Sequence, residues 1–191
     1  PLSSAGTLRP MKALVTGGAG FIGSHLVEAL LARDWSVSIL DDFSTGAASV
    51  VSPAASVFRG DVADAALAAR AVKGCTTVFH LAAVSSVQEA MDRPLEVHRA
   101  NLTGTLTLLE AASAAHVRRF VFASSAAVYG DTGGIPARED AAAAPLGPYA
   151  VQKLASEHYC RAFSRLRGLE TVCLRYFNIY GPRQRADSPY S

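Results

Sequence analysis

The chain has 191 residues, half of them apolar, and its 18 lysines and arginines against 16 aspartates and glutamates leave a net charge of +2. That length holds one domain with a sizeable core, and so mild a charge gives no reason to expect a nucleic-acid partner. The odd trio Cys75, Cys160 and Cys173 lacks metal-ligand spacing and reads as buried thiols of a reduced, cytoplasmic compartment with no metal, while no apolar run nears the ~18 residues of a membrane span.

Residues 1–10 lack the apolar centre of a signal peptide, and Met11 stands directly before the first apolar run. They are expected to be a leader or cloning remnant. Ala13-Leu14-Val15 then predicts a short buried strand. It runs into Thr16-Gly17-Gly18-Ala19-Gly20-Phe21-Ile22-Gly23, which holds both G-x-x-G-x-x-G (Gly17, Gly20, Gly23) and G-x-G-x-x-G (Gly18, Gly20, Gly23). Phe21 and Ile22 open a helical pattern that continues through Leu26, Ala29, Leu30 and Ala32. Strand, glycine turn and helix N-terminus together form a seat for a pyrophosphate, because unpaired N–H groups and the positive end of the helix dipole face the anion.

Ser36–Leu40 predicts a second strand, ended by Asp41 about 20 residues past the glycines. A carboxylate there accepts from both ribose hydroxyls of NAD and repels the extra phosphate of NADP, so NAD is the expected cofactor. Val57–Gly60 is a third strand, ended by Asp61; Asp64 caps an alanine-rich helix reaching about Lys73. Thr77–Leu81 is a fourth strand. A helix is expected from about Leu95 to Ala114, with Leu102, Leu106, Leu109 and Ala112 on one side. Phe120–Ala123 is a fifth strand, residues 131–148 a long loop, Tyr149–Leu166 a helix entered through Pro148, and Thr171–Tyr176 a sixth strand. This alternation predicts an α/β fold: a doubly wound parallel sheet of order 3-2-1-4-5-6, with the dinucleotide across the switch point.

Tyr149 and Lys153 are four residues apart, so they share a face at the start of their helix. Ser124-Ser125 ends strand five at the same edge of the sheet. A free phenol ionises near pH 10; lowering that by ~3 units takes ~4 kcal/mol. One ammonium about 4 Å away, at an effective dielectric near 20, supplies about that much. Tyr149 then serves as the base for a substrate alcohol, Lys153 holds the phenolate and a ribose hydroxyl, and serine bonds the reacting oxygen. That is alcohol–ketone redox chemistry.

From Lys12 to its end the chain resembles the extended short-chain dehydrogenases/reductases, and within them the NAD-dependent nucleotide-sugar epimerase/dehydratase family, most of all its UDP-glucose 4-epimerase branch. The segments carrying this are 15–25, Leu40-Asp41-Asp42-Phe43-Ser44-Thr45-Gly46, Gly60-Asp61-Val62, Phe79-His80-Leu81-Ala82-Ala83 and 101–105. Ser124-Ser125-Ala126-Ala127-Val128-Tyr129-Gly130, 148–153 and 174–183 complete them. The resemblance implies that Asp41, Asp42, Phe43, Thr45 and Gly46 serve the cofactor and that Asp61 and Val62 border the adenine. It places Leu81, Ala82 and Ala83 on the path to the nicotinamide, with Tyr176 and Phe177 at that end. Asn101 is counted with the cofactor residues as one that orders the active-site region. Ser125, Tyr149 and Lys153 become the catalytic set, and Asn178, Ser85, Ser125 and Tyr149 face a nucleotide-sugar substrate, expected to be a UDP-sugar. Ser85-Ser86 stands where UDP-glucose epimerases often carry a lysine.

In the same family the dehydratases and decarboxylases carry acidic residues just after the catalytic Ser/Thr. Here those positions are Ala126 and Ala127, which favours reversible oxidation at one carbon, hence epimerisation. The alternatives are a reductase of the same fold and a non-catalytic NAD-binding module. Helices 95–114 and 149–166 are the expected homodimer contact. Residues 11–182 are expected to be the NAD-binding domain and 183–191 the start of a substrate domain, so the chain alone is expected to bind NAD with little or no turnover.

Overall fold

The structure, a computed structural model, describes residues 11–134 and 136–184. The expected leader and the residues beyond Gln184 lie outside that range. Six parallel strands form one sheet: β1 (Lys12–Thr16), β2 (Ser36–Asp41), β3 (Ser56–Arg59), β4 (Thr77–His80), β5 (Arg119–Ser125) and β6 (Glu170–Tyr176). Their order is β3-β2-β1-β4-β5-β6, as expected. The register runs Thr16 opposite both Leu40 and His80, and Ser125 opposite Tyr176.

Strand alternation divides the core. On one face Leu14, Leu40, Val78, Phe120 and Phe122 pack with Ala68, Leu108, Leu109 and Cys160. On the other, Ala13, Val15, Val37 and Ile39 meet Val27 and Leu30 of α1 (Phe21–Leu31). Central strands buried on both faces read as unbroken apolar runs, which is why β1 was legible despite having no polar alternation. Cys75 and Cys160 are buried and Cys173 only partly so.

The helices keep to their signals at the ends and depart from them in the middle. Helix α2 (Ala65–Ala71) is capped by Asp64, whose carboxylate accepts from the Leu67 N–H at 3.0 Å. An unanticipated short helix, α3 (Val87–Asp92), follows β4; Ser86 caps it by accepting from the Glu89 N–H. The helix expected over 95–114 runs from Pro94 to Ala114 but is not a regular α-helix throughout. It comprises α4 (Pro94–His98), a wider π-helical turn (Arg99–Thr103) and α5 (Gly104–Ala114). Such turns concentrate at functional sites, and this one carries Asn101. Helix α6 (Pro148–Arg167) starts with proline in its first turn and ends at Gly168 in the left-handed conformation. No described helix is long and apolar enough to cross a membrane.

Candidate active site

The glycine turn shows three different needs for glycine. Gly17 has φ +68°, and a Cβ there would lie 2.7 Å from the Ala82 backbone nitrogen. At Gly23 a Cβ would lie 2.1 Å from the Gly17 carbonyl oxygen, so the helix could not close on the turn. Gly20 is under neither constraint: its φ is −84° and a Cβ would meet only the Gly17 oxygen, at 3.2 Å. What glycine leaves open at Gly20 is the approach to the backbone from outside, on the N-terminal end of α1, an end suited to an anion. Phe21 and Ile22 form the first turn of that helix. Gly46 brings the segment after β2 against the turn, with a would-be Cβ 2.8 Å from that of Ala19.

Asp41 is buried at the C-terminal end of β2. Its Oδ2 accepts from the Ala19 N–H at 2.9 Å and its Oδ1 from the Phe43 N–H at 2.8 Å. The carboxylate therefore ties the glycine turn to the next loop, and each oxygen keeps a lone pair for a ribose hydroxyl. Asp42 is exposed and accepts from the Ser44 N–H and hydroxyl; Thr45 is exposed beside it. Phe43 adopts φ +62°, and the Arg59 guanidinium stands 5.3 Å from its ring centroid. Asp61 accepts from the Ala63 N–H and pairs with Arg99 at 3.0 Å, while Val62 is buried against Gly104.

Across the switch point, β5 and α6 bring Ser125, Tyr149 and Lys153 to one place. Lys153 is 4 % exposed, and its Nζ donates to the Ala123 carbonyl at 2.8 Å. The ammonium lies 4.8 Å from the Phe122 ring centroid and 5.8 Å from that of Tyr149. Burial lowers its pKa from 10.5 to about 8, so it remains a cation at neutral pH but a weakly held one. Tyr149, buried in the first turn of α6, packs with Ala90, Val97, Val84 and Ala127, the last of these two residues past Ser125. The Ser125 Oγ accepts from the Ala127 N–H, so its own proton is available to a reacting oxygen.

Two parts of the site went unread in the sequence. One is a directional hydrogen-bond chain. The Ala82 N–H donates to Thr16 Oγ1 (3.2 Å), which is 2.7 Å from His80 Nδ1; His80 Nε2 is 2.9 Å from Thr105 Oγ1, which donates to the Asn101 carbonyl at 2.5 Å. Each hydroxyl can donate only once, so His80 carries its proton on Nε2. Burial, with the Lys153 charge nearby, pushes its pKa down to about 3 and holds it neutral. The other part is Glu157, 2 % exposed on α6, which accepts from the Ser124 hydroxyl (2.6 Å) and from both Nε and Nη2 of Arg175 (2.9 and 2.8 Å). Burial alone would raise its pKa; the bonds from Arg175 and Ser124 bring it below the ordinary value. The repeated spacing Tyr149, Lys153, Glu157 was the available signal.

Asn101 lies in the π-helical turn. Its amide accepts from the Val84 N–H (2.8 Å) and donates to the Val84 carbonyl and Gln152 Oε1 (3.0 Å each), wholly within the protein. A side chain so committed fixes the loop carrying Leu81, Ala82 and Ala83 against α6. The pKa of Arg175 is raised by its bond to Glu157. Tyr176 ends β6 beside Ser125; Phe177, Asn178 and, on the far side of the loop after β4, Ser85 are exposed.

Thr16, Asp41, His80, Ser125 and Tyr176 end their strands at one edge of the sheet, and α6 brings Tyr149 and Lys153 to them; that arrangement is the one by which doubly wound α/β proteins bind dinucleotides. The comparisons are specific. The model of the "NAD dependent epimerase/dehydratase family" matches residues 13–191. The chain is 39 % identical over 173 residues to a putative UDP-glucose 4-epimerase of Methanocaldococcus jannaschii, covering 90 % of this chain and 57 % of that one. It superposes on the UDP-glucose 4-epimerase of Thermus thermophilus in complex with NAD with a TM-score of 0.90 at 43 % identity, over 94 % of this chain and 59 % of that one. A dTDP-glucose 4,6-dehydratase of Streptomyces venezuelae, with NAD bound, gives 0.88 at 36 % identity, over 93 % and 59 %. The chain belongs to the NAD-dependent epimerase/dehydratase family. It spans about half to three-fifths of the length of these relatives.

Proposed function

We propose that the chain is the cofactor-binding and catalytic part of an NAD-dependent nucleotide-sugar 4-epimerase acting on a UDP-hexose. The observation that carries this is the joining of a pyrophosphate seat (Gly17, Gly20, Gly23) and a ribose acceptor (Asp41) to Ser125, Tyr149 and the buried Lys153 across one crevice. Asp41, Asp42, Phe43, Thr45, Gly46, Asp61 and Val62 would hold the adenosine half. Leu81 to Ala83, Tyr176 and Phe177 would border the nicotinamide, and Asn178 and Ser85 the sugar nucleotide. Bound NAD supplies a reversible hydride acceptor. Tyr149 takes the proton of the sugar 4-hydroxyl as that carbon is oxidised and returns it when the ketone is reduced on its other face. Lys153 stabilises the phenolate, and the Ser125 hydroxyl donates to the reacting oxygen.

The dehydratase likeness does not extend to the turn after Ser125, which begins with Ala126 and Ala127, leaving no carboxyl group there for eliminating water. Pairing of two copies through α5 and α6 is the homodimer this reading includes.

Titration of NAD and NADP into this chain is expected to give NAD binding with NADP at least tenfold weaker; equal binding would refute the cofactor assignment. In the protein joined to a complete sugar-nucleotide domain, Tyr149→Phe should keep NAD and lose epimerisation at least a thousandfold. Retained turnover in that variant rules out the mechanism.

A further inference from the structure

Glu157 sits in the middle of α6 with its carboxylate turned to the sheet, where a chain seeking only stability does as well with an apolar residue. Its partners come from three elements. Ser124 is on β5, Arg175 on β6, and Arg161 is one turn on in α6, at 3.3 Å. The Arg175 contact is a two-point fork, which fixes angle as well as distance. Beyond the fork, the same guanidinium lies 4.6 Å from the Tyr129 ring centroid, and Tyr129 closes the turn that begins after Ser125. The Tyr129 ring is in turn 6.4 Å from that of Phe177.

Ser124, Glu157 and Arg175 each adjoin a residue of the nicotinamide end. Ser124 precedes Ser125, Glu157 is one helical turn from Lys153 and two from Tyr149, and Arg175 is two residues before Phe177. None adjoins the adenosine end, which lies on β2 and β3. We propose that Glu157 and Arg175, acting through Ser124 and Tyr129, are positioning residues that set the nicotinamide end of the site while leaving the adenosine end untouched. This rests on the reading that the cofactor lies with its nicotinamide beside Ser125 and Tyr149.

The test compares NAD with ADP-ribose, which has the adenosine, pyrophosphate and second ribose but no nicotinamide. Dissociation constants for both ligands are measured calorimetrically on the wild-type chain, Glu157→Gln and Tyr129→Leu, with circular dichroism confirming the fold. In both variants NAD binding is expected to weaken about tenfold and ADP-ribose binding to change less than twofold. A purely structural role moves both ligands together, and that result, or no change in either, overturns the proposal. If Glu157→Gln does not fold, Tyr129→Leu, which keeps the ion pair, decides alone. A wild-type chain that binds NAD no better than ADP-ribose overturns the placement of the nicotinamide and this inference with it. A wild type that prefers NAD, with variants that keep the preference, overturns this inference alone.

Discussion

Lys153→Met should make the protein more stable while removing the group proposed to hold a Tyr149 phenolate. The ammonium is 4 % exposed, and its pKa falls from 10.5 to about 8 because burial disfavours the charge. That difference corresponds to about 3 kcal/mol against the folded state at neutral pH. The folded-state value is depressed below the unfolded one, so between pH 8 and 10.5 the unfolded chain holds a proton that the folded chain has released. Wild-type stability therefore gains about 3 kcal/mol from this group as pH rises through that window, and below pH 8 the cost is present in full. Methionine has a similar length and no charge. Its losses are the bond to the Ala123 carbonyl, about 1 kcal/mol, and the ammonium's contact with the Phe122 ring, for which a thioether–aromatic contact substitutes. The net gain at pH 7 is about 2 kcal/mol, or roughly 5 °C in Tm for a domain of this size. Urea unfolding followed by the fluorescence of Trp35, the single tryptophan, gives both curves at pH 7 and across pH 8–10.5. A variant less stable than wild type at pH 7, or a wild-type-minus-variant difference that stays flat across that window, refutes the reasoning.

Two further outcomes follow from the same structure. His80, held neutral with a pKa of about 3, contributes stability present above pH 6.5 that is lost as pH falls toward 3, up to roughly 5 kcal/mol; His80→Gln should flatten the decline in urea midpoint between pH 6.5 and 4, and an unchanged decline counts against the buried neutral imidazole. Gly20→Ala should shift Tm by no more than a few degrees yet weaken NAD at least tenfold, whereas Gly23→Ala, with its Cβ 2.1 Å from the Gly17 oxygen, should destabilise the fold by about 3 kcal/mol; comparable losses of stability in the two would deny Gly20 its ligand-facing role.

How much was legible varies with how local the cause is. The Gly17–Gly23 turn, the Asp64 cap, the Pro148 entry and the Gly168 exit of α6 are set by backbone chemistry within a few residues, and each was read or is readable as such. The sheet order followed from strand–helix alternation and the handedness of crossovers. The π-helical turn at Arg99–Thr103 was missed because apolar spacing through 95–114 fits a regular helix. The turn carries Asn101, which is held between Val84 and Gln152, 17 and 51 residues away, contacts that apolar spacing does not register.

The sequence alone determined the class of fold, the glycine turn between β1 and α1, the acid at the end of β2 and the face shared by Tyr149 and Lys153, because periodicity, turn geometry and helical spacing act over short stretches. Only the tertiary structure decided the charge states and the positioning: a neutral His80 between Thr16 and Thr105, a weakened Lys153 cation, and Glu157 locked by Ser124 and Arg175. Those properties depend on water being excluded by elements 18 to 64 residues apart in the chain, and desolvation belongs to the packed whole rather than to any stretch of it.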